Sequence, residues 1–206
     1  MNIVKLSDHS VDLSLLDDNS IVFDLGGYKG DFTKELTKYI DCKVYIYEPN
    51  YRLRYMDNIF KDNKNIVINY KGISNVVCNK YLYLGMKFGP NWVKQTGSSY
   101  YSSHKDVRER KIKTECTTID NEIKKYGIKN IDLMKINVEG EEKVIIPSLP
   151  LNKINQLTVS FHEHCDIEGY NKSTVNELRD FIKDNGFEEV VYNNYDTLFI
   201  RKEFIK

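Results

Sequence analysis

Lys135, Asn137 and Glu139 stand at every second position in the second half of a largely apolar stretch, IDLMKINVEG over residues 131–140. In an extended chain that alternation puts the three side chains on one face, where they can converge on a ligand. A lysine inside a buried strand is costly unless it is paired, so Lys135 asks for an acidic partner or a function. A second apolar run, LTVSF over residues 157–161, ends in His162, Glu163 and His164. The two histidines would share a face and could serve as a general base or hold a metal. A hydrogen-bonded histidine at a strand end is the plainer alternative. Glu139, Glu141 and Glu142 would fall in a first helical turn, where acids are favoured in any case.

The elements that position such groups begin with residues 21–30, IVFDLGGYKG. The apolar residues read as a fully buried strand of a parallel sheet, and the glycines as a sharp turn that brings backbone close to a ligand. Phe32, Leu36, Tyr39 and Ile40 then recur at helical spacing. Asp24 with Gly26, Gly27 and Gly30 gives D-x-G-x-x-x-G, which is neither the dinucleotide fingerprint nor a Walker A loop. An acid beside the turn would repel phosphates but could meet a cationic ligand, such as the amino-acid part of S-adenosylmethionine (SAM).

A second strand, residues 43–47, ends at Glu48, about 20 positions beyond the turn, where an acid can accept hydrogen bonds from both ribose hydroxyls of an adenosine. Asn50 reads as the N-cap of a helix carrying Leu53, Met56 and Phe60. A third strand, residues 66–68, leads to Gly72 and Ile73, placed for the adenine by the rule that ligands sit at the carboxyl ends of strands.

Residues 71–118 then break the alternation as an inserted hairpin. Strands at 81–84 and 111–114 enclose a Gly-, Ser- and Tyr-rich segment, residues 85–110, that carries Trp92 and reads as a substrate lid. Asp120 can cap a helix that runs through Tyr126 and ends at Gly127. Residues 174–177, TVNE, give a capping box before Leu178, Phe181 and Ile182, with Gly186 beyond the helix end. Residues 187–192 and 197–201 form a closing antiparallel hairpin, whereas residues 1–20 read as a polar arm or irregular helix.

At 206 residues the chain fits one domain, 1–206. Thirty basic and thirty acidic side chains cancel, so no electrostatic footprint argues for nucleic acid or an anionic membrane. Cys42, Cys78, Cys116 and Cys165 are widely spaced, which suits reduced thiols in a cytoplasmic enzyme better than a disulfide framework or zinc site. No stretch reaches membrane-spanning length. Oligomeric state leaves no trace in the sequence.

FDLGGYKGDFT, YEPN and IDLMKINVEGEEKVI, in that order and spacing, resemble the FkbM family of SAM-dependent methyltransferases, from about Ile21 to His164. The resemblance implies a class I, Rossmann-like α/β fold, with a seven-stranded, mostly parallel sheet, an antiparallel terminal hairpin and the insertion before the fourth strand. It also implies O-methylation of a hydroxyl, typically on a saccharide or other small acceptor. The family usually has Asp where this chain has Asn137, and Gly-Ala at Gly26-Gly27. An amide cannot act as a base, so the expected roles are His162 as general base, Lys135 and Glu139 orienting the acceptor, and Asn137 holding the cofactor. Asp24, Gly26, Gly27, Gly30, Glu48, Gly72 and Ile73 complete the expected SAM site. No metal site is assigned, although a divalent ion between Glu139, His162 and Asp166 is an alternative. An RNA ribose acceptor, an NAD-dependent oxidoreductase and a catalytically idle SAM-binding module are the competing readings.

Overall fold

Val22 and Phe23 point to opposite sides of one strand and both are fully buried. Such a strand needs cover on both faces, which is why it reads as an unbroken apolar run. The computed structural model describes residues 1–85, 97–192 and 196–205, the side chains of Arg108 and Tyr192 excepted.

In chain order the described elements begin with a hairpin of β1 (Ile3–Leu6) and β2 (His9–Asp12). Then come β3 (Ile21–Leu25), α1 (Asp31–Leu36), β4 (Lys43–Tyr47), α2 (Tyr55–Ile59) and β5 (Ile66–Asn69). An inserted part holds β6 (Gly72–Ile73), β7 (Cys78–Gly85) and β8 (Val107–Thr117). The chain continues through α3 (Ile119–Tyr126), β9 (Ile131–Ile136), α4 (Glu142–Ile145), β10 (Ile154–Ser160) and α5 (Lys172–Asp184). It closes with β11 (Phe187–Tyr192) and β12 (Asp196–Arg201).

Seven strands form the main sheet in the order β11-β12-β10-β9-β3-β4-β5, parallel throughout except at β12. This is the mostly parallel sheet with an antiparallel final hairpin that the sequence implied. Phe23, Leu25, Met134 and Ile136 face α3, α4 and α5 on one side; Val22, Val44, Ile46 and Leu133 face α1, α2 and the β1–β2 hairpin on the other. Crossovers run outward from β3 through β4 to β5, then return to β9 and run the opposite way. The carboxyl ends of β3 and β9 therefore flank the topological switch point, where open α/β sheets bind ligands.

The insertion forms its own three-stranded sheet, β6-β8-β7, and the strands expected at 81–84 and 111–114 run longer, as β7 and β8. Within the expected lid, residues 86–96 with Trp92 lie outside the described residues, as do residues 193–195. Among the described residues no helix is long and apolar enough to cross a membrane.

Four local expectations are corrected. Residues 1–20 are not an irregular helix: β1 and β2 pair through a two-residue turn with Ser7 at φ 53°, and bury Leu6 and Val11. Asn50 does not cap α2; its Oδ1 accepts from the Arg52 N–H in a local turn and the helix begins at Tyr55. Thr118, not Asp120, caps α3 by accepting from the Asn121 N–H. The helix expected at 174 starts at Lys172, because Asn171 accepts from both Ser173 and Thr174 N–H groups and so satisfies two orphan donors earlier.

Candidate functional site

A cavity of about 300 Å³ opens at the carboxyl ends of β3, β4 and β9. Its walls come from the glycine turn, the segment after β4, Gly72 and Ile73, the insertion sheet, the end of β9 and the β1–β2 hairpin.

The turn after β3 is held from two sides. Gly26 and Gly27 both donate to the Tyr47 carbonyl, at 2.9 and 3.2 Å. Gly26 has φ 78°, and a Cβ there would lie 1.8 Å from the Asn137 carbonyl oxygen, so only glycine lets the β3 and β9 ends approach this closely. A Cβ on Gly27 would lie 2.2 Å from Ile46 Cγ2; here Ile46 fills the space that the family's usual alanine would take.

Lys135 is paired, as its burial demanded. Its ammonium lies 3.0 Å from Asp24 Oδ1 and donates to the carbonyls of Gly26 and Leu25 at 2.6 and 3.2 Å. Lys135 borders the cavity, but its donors are spent on fixing the turn rather than on orienting an acceptor. Asp24 is fully buried, takes a hydrogen bond from the Thr33 hydroxyl at 2.8 Å, and does not reach the cavity wall. Its expected contact with a cationic ligand is thus replaced by contact with Lys135. Gly30 also lies off the wall; at φ 78° it starts α1, tight against the Phe60 ring.

Glu48 stands where the spacing put it, on the cavity wall and 7% exposed. Oε2 accepts from the Tyr28 N–H at 2.8 Å and Oε1 from the Asn50 N–H at 2.7 Å. Each oxygen keeps a further lone pair for a ligand hydroxyl. Burial pushes the carboxyl upward, against the Asn50 and Tyr28 N–H groups and the Lys135 charge. Gly72 and Ile73 line the cavity too, and a Cβ on Gly72 would meet the Tyr100 hydroxyl at 2.1 Å.

Lys135, Asn137 and Glu139 all line the cavity, as their alternation suggested. Glu139 sits at φ 53° in a turn that the fully buried Glu142 holds by accepting from the Val138 and Gly140 N–H groups at 3.0 and 2.9 Å. His162 does not line the cavity among the described residues. Its Nδ1 lies 2.9 Å from Glu142 Oε1 and its Nε2 3.4 Å from Glu139 Oε2. Burial alone would lower its pKa, but the Glu142 and Glu139 carboxylates outweigh that and push it up to about 9. Both ring nitrogens thus face carboxylates, and among the described residues the structure does not bring His162 to the cavity wall, where the expected general base would stand. Burial would raise Glu139, yet His162 and His104 hold it below the ordinary carboxylate range, with His104 Nε2 at 3.1 Å from Oε2.

His164 stacks on His162 at 5.9 Å between ring centroids. Among the described residues, His104, Asp106 and Cys165 bring three possible ligand atoms within 4.8 Å of one another, whereas Glu139, His162 and Asp166 form no such group. His104 already accepts from the Asp106 N–H at Nδ1 and faces Glu139 at Nε2.

Sequence reasoning missed the wall built by Ser7, Asp8 and His9, and the pairing of His9 with Asp196 across 187 positions. Two four-residue runs, IVKL and HSVD, separated by the turn-forming pair Ser7-Asp8 were the available signal. It also missed Tyr100, which packs on Gly72 and lines the same cavity.

Compared with known proteins, residues 24–189 match the methyltransferase FkbM domain. No curated relative matches the chain. Among solved structures, the methyltransferase FkbM of Methylobacillus flagellatus superposes with a TM-score of 0.55 at 14% identity, over 90% of this chain and 44% of that one. The present chain thus spans less than half of that protein. An rRNA methylase from Streptococcus thermophilus gives 0.52 at 12% identity over 91% of both chains. Aeropyrum pernix fibrillarin, solved with natively bound S-adenosyl-L-methionine, gives 0.50 at 12% identity over 92% of this chain and 68% of that one. At these identities the likeness establishes a shared fold.

Proposed function

The chain belongs to the FkbM methyltransferase family, and from that premise we propose that it transfers a methyl group from SAM to a hydroxyl oxygen of a saccharide or sugar-containing acceptor. The observation that carries the cofactor assignment is Glu48: a buried carboxylate on the cavity wall, each oxygen holding one backbone N–H and keeping capacity for one ribose hydroxyl. The close glycine turn beside it fits the methionine end, Gly72 and Ile73 the adenine, and Asn137 the region between.

Bound SAM would supply a methyl group on a sulfonium, an electrophile that needs an aligned oxygen more than any covalent help from the protein. Glu139, ionised and turned into the cavity, can accept a hydrogen bond from a second acceptor hydroxyl and so set that alignment. His162 and His104 fix its carboxylate from behind. Lys135 and Asp24 keep the glycine turn in register with β9. The saccharide reading is supported by the family and by a net charge of zero, which offers no excess of cations for an RNA backbone.

Calorimetric titration with S-adenosylhomocysteine (SAH) tests the cofactor site. One-to-one binding is expected, weakened at least tenfold by Glu48→Ala in a protein with an unchanged circular dichroism spectrum. Silence at millimolar SAH, or a Glu48→Ala protein that binds like the wild type, would refute the assignment. Tritiated SAM incubated with carbohydrate and RNA fractions of the source cells then separates the acceptors; label confined to RNA would overturn the saccharide reading.

A further inference from the structure

One wall of the cavity, the β1–β2 hairpin, and Asp196, the buried acid behind it, lie outside the family-matched segment, residues 24–189. His9, the first residue of β2, is 3% exposed and lines the cavity. Its Nδ1 lies 3.1 Å from Asp196 Oδ1, and its Nε2 faces Asn137 Nδ2 at 3.5 Å. Asp196 is itself fixed, its Oδ1 accepting from the Thr158 hydroxyl and its Oδ2 from the Ser10 N–H, each at 2.9 Å. The Phe32 ring meets the imidazole edge-on, with centroids 5.7 Å apart.

A carboxylate at Nδ1 makes that nitrogen the protonated one and leaves the Nε2 lone pair at the Asn137 end of the cavity, where it accepts from the Asn137 amide across 3.5 Å, a long contact that an acceptor hydroxyl can replace. Asn137 is an amide on the cavity wall and cannot take a proton, so a base at that end must come from another residue. From this juxtaposition we infer that His9 is the general base of methyl transfer and that Asp196 is the positioning residue that sets its tautomer. The inference rests on the methyltransferase reading above.

As the acceptor oxygen forms its bond to the methyl carbon, the carbon–sulfur bond of the donor breaks and its electron pair stays on sulfur. The hydroxyl proton passes to His9 Nε2, the imidazolium is stabilised by Asp196, and the proton goes to solvent after product leaves. Charged groups facing His9 are Asp196 and Asp24, which favour its cation, and Lys135, which opposes it. Burial weighs most and, with Lys135, holds the ring below its ordinary pKa, so it is neutral and able to accept a proton near pH 7. His162 differs in this respect, because both of its nitrogens face carboxylates, whereas Nε2 of His9 faces a neutral amide.

The chain has four histidines, so a long-range ¹H–¹⁵N spectrum of ¹⁵N-histidine protein with SAH bound resolves each ring. His9 is expected at pH 7 as the Nδ1–H tautomer with a bare Nε2, and Asp196→Asn is expected to move the proton to Nε2. His9→Gln should lose at least about 100-fold in label transfer from tritiated SAM to the carbohydrate extract, with SAH affinity within about twofold. It should also lose the acidic limb of the pH–rate profile. A His9 imidazolium or Nε2–H tautomer in the wild type at pH 7 would overturn the inference, as would His9→Gln and His9→Asn proteins working within threefold of wild type. The tautomer measurement needs neither an acceptor nor a variant. Failure of the wild type to bind SAH would instead bring down the methyltransferase reading on which the inference stands.

Discussion

Lys135→Met probes the contact that joins the two strands flanking the cavity. The Lys135 and Asp24 side chains are 4% and 0% exposed, with 3.0 Å between ammonium and carboxylate. Methionine keeps the volume but leaves Asp24 as a buried charge supported by the Thr33 hydroxyl, and takes the ammonium from the Gly26 carbonyl and from the Leu25 carbonyl, which keeps the Asn137 N–H. Removing one partner of a buried pair costs about 3–5 kcal/mol. For a chain of this length each kcal/mol shifts Tm by roughly 2–4 °C, so a fall of about 6–20 °C is expected. Asp24→Asn neutralises the orphan and retains the Thr33 bond; the double variant should therefore be no less stable than Lys135→Met alone, with a coupling of about 2–3 kcal/mol. Urea unfolding followed by far-ultraviolet circular dichroism, with slopes compared among the four proteins, gives the cycle. A Lys135→Met protein within about 1 kcal/mol of wild type, or a strictly additive double variant, would refute the reasoning.

Gly26→Ala places a methyl 1.8 Å from a backbone oxygen that cannot swing away; calorimetry should show SAH affinity falling at least about tenfold, with a lower Tm. Glu48 is raised by burial, and its ionised form is the better acceptor for ribose hydroxyls, so SAH binding should be full above that raised pKa and weaken on acidification. Glu48→Gln should flatten this dependence in titrations run between pH 5 and pH 8. His162 is raised from 6.5 to about 9 in the folded state, so its contribution to stability is complete below pH 6.5 and disappears as pH climbs to about 9. That interval of roughly 2.5 pH units bounds the loss at about 3 kcal/mol. His162→Gln should lack it when urea midpoints at pH 6 and pH 9.5 are compared.

The legible parts of this protein are those where a single strand or turn carries its own signal. The run into Gly26, the acid at Glu48 and the alternation of Lys135, Asn137 and Glu139 each depend on residues within a few positions of one another. Local periodicity and turn chemistry therefore sufficed to place them. Helix starts shifted by a few residues because neighbouring side chains compete for the same orphan N–H groups, whereas the surroundings of the site residues are set by partners distant in sequence. Lys135 looked like an acceptor-orienting cation because its counter-ion, Asp24, lies 111 positions away and was itself read as a ligand contact. His162 looked free to act as a base because nothing in HEHCD shows that Glu139 and Glu142 close on both its nitrogens. His9 drew no attention in a short polar hairpin, since its value depends on Asp196 at the far end of the chain.

The central claim is that the cavity at the ends of β3, β4 and β9 holds the adenosyl donor, and a crystal structure of the chain grown with SAH tests it most directly. The account predicts both ribose hydroxyls on Glu48, the adenine against Gly72 and Ile73, and the sulfur at the Asn137 end within reach of His9. SAH seated elsewhere, or in this cavity with its ribose turned away from Glu48, would contradict it.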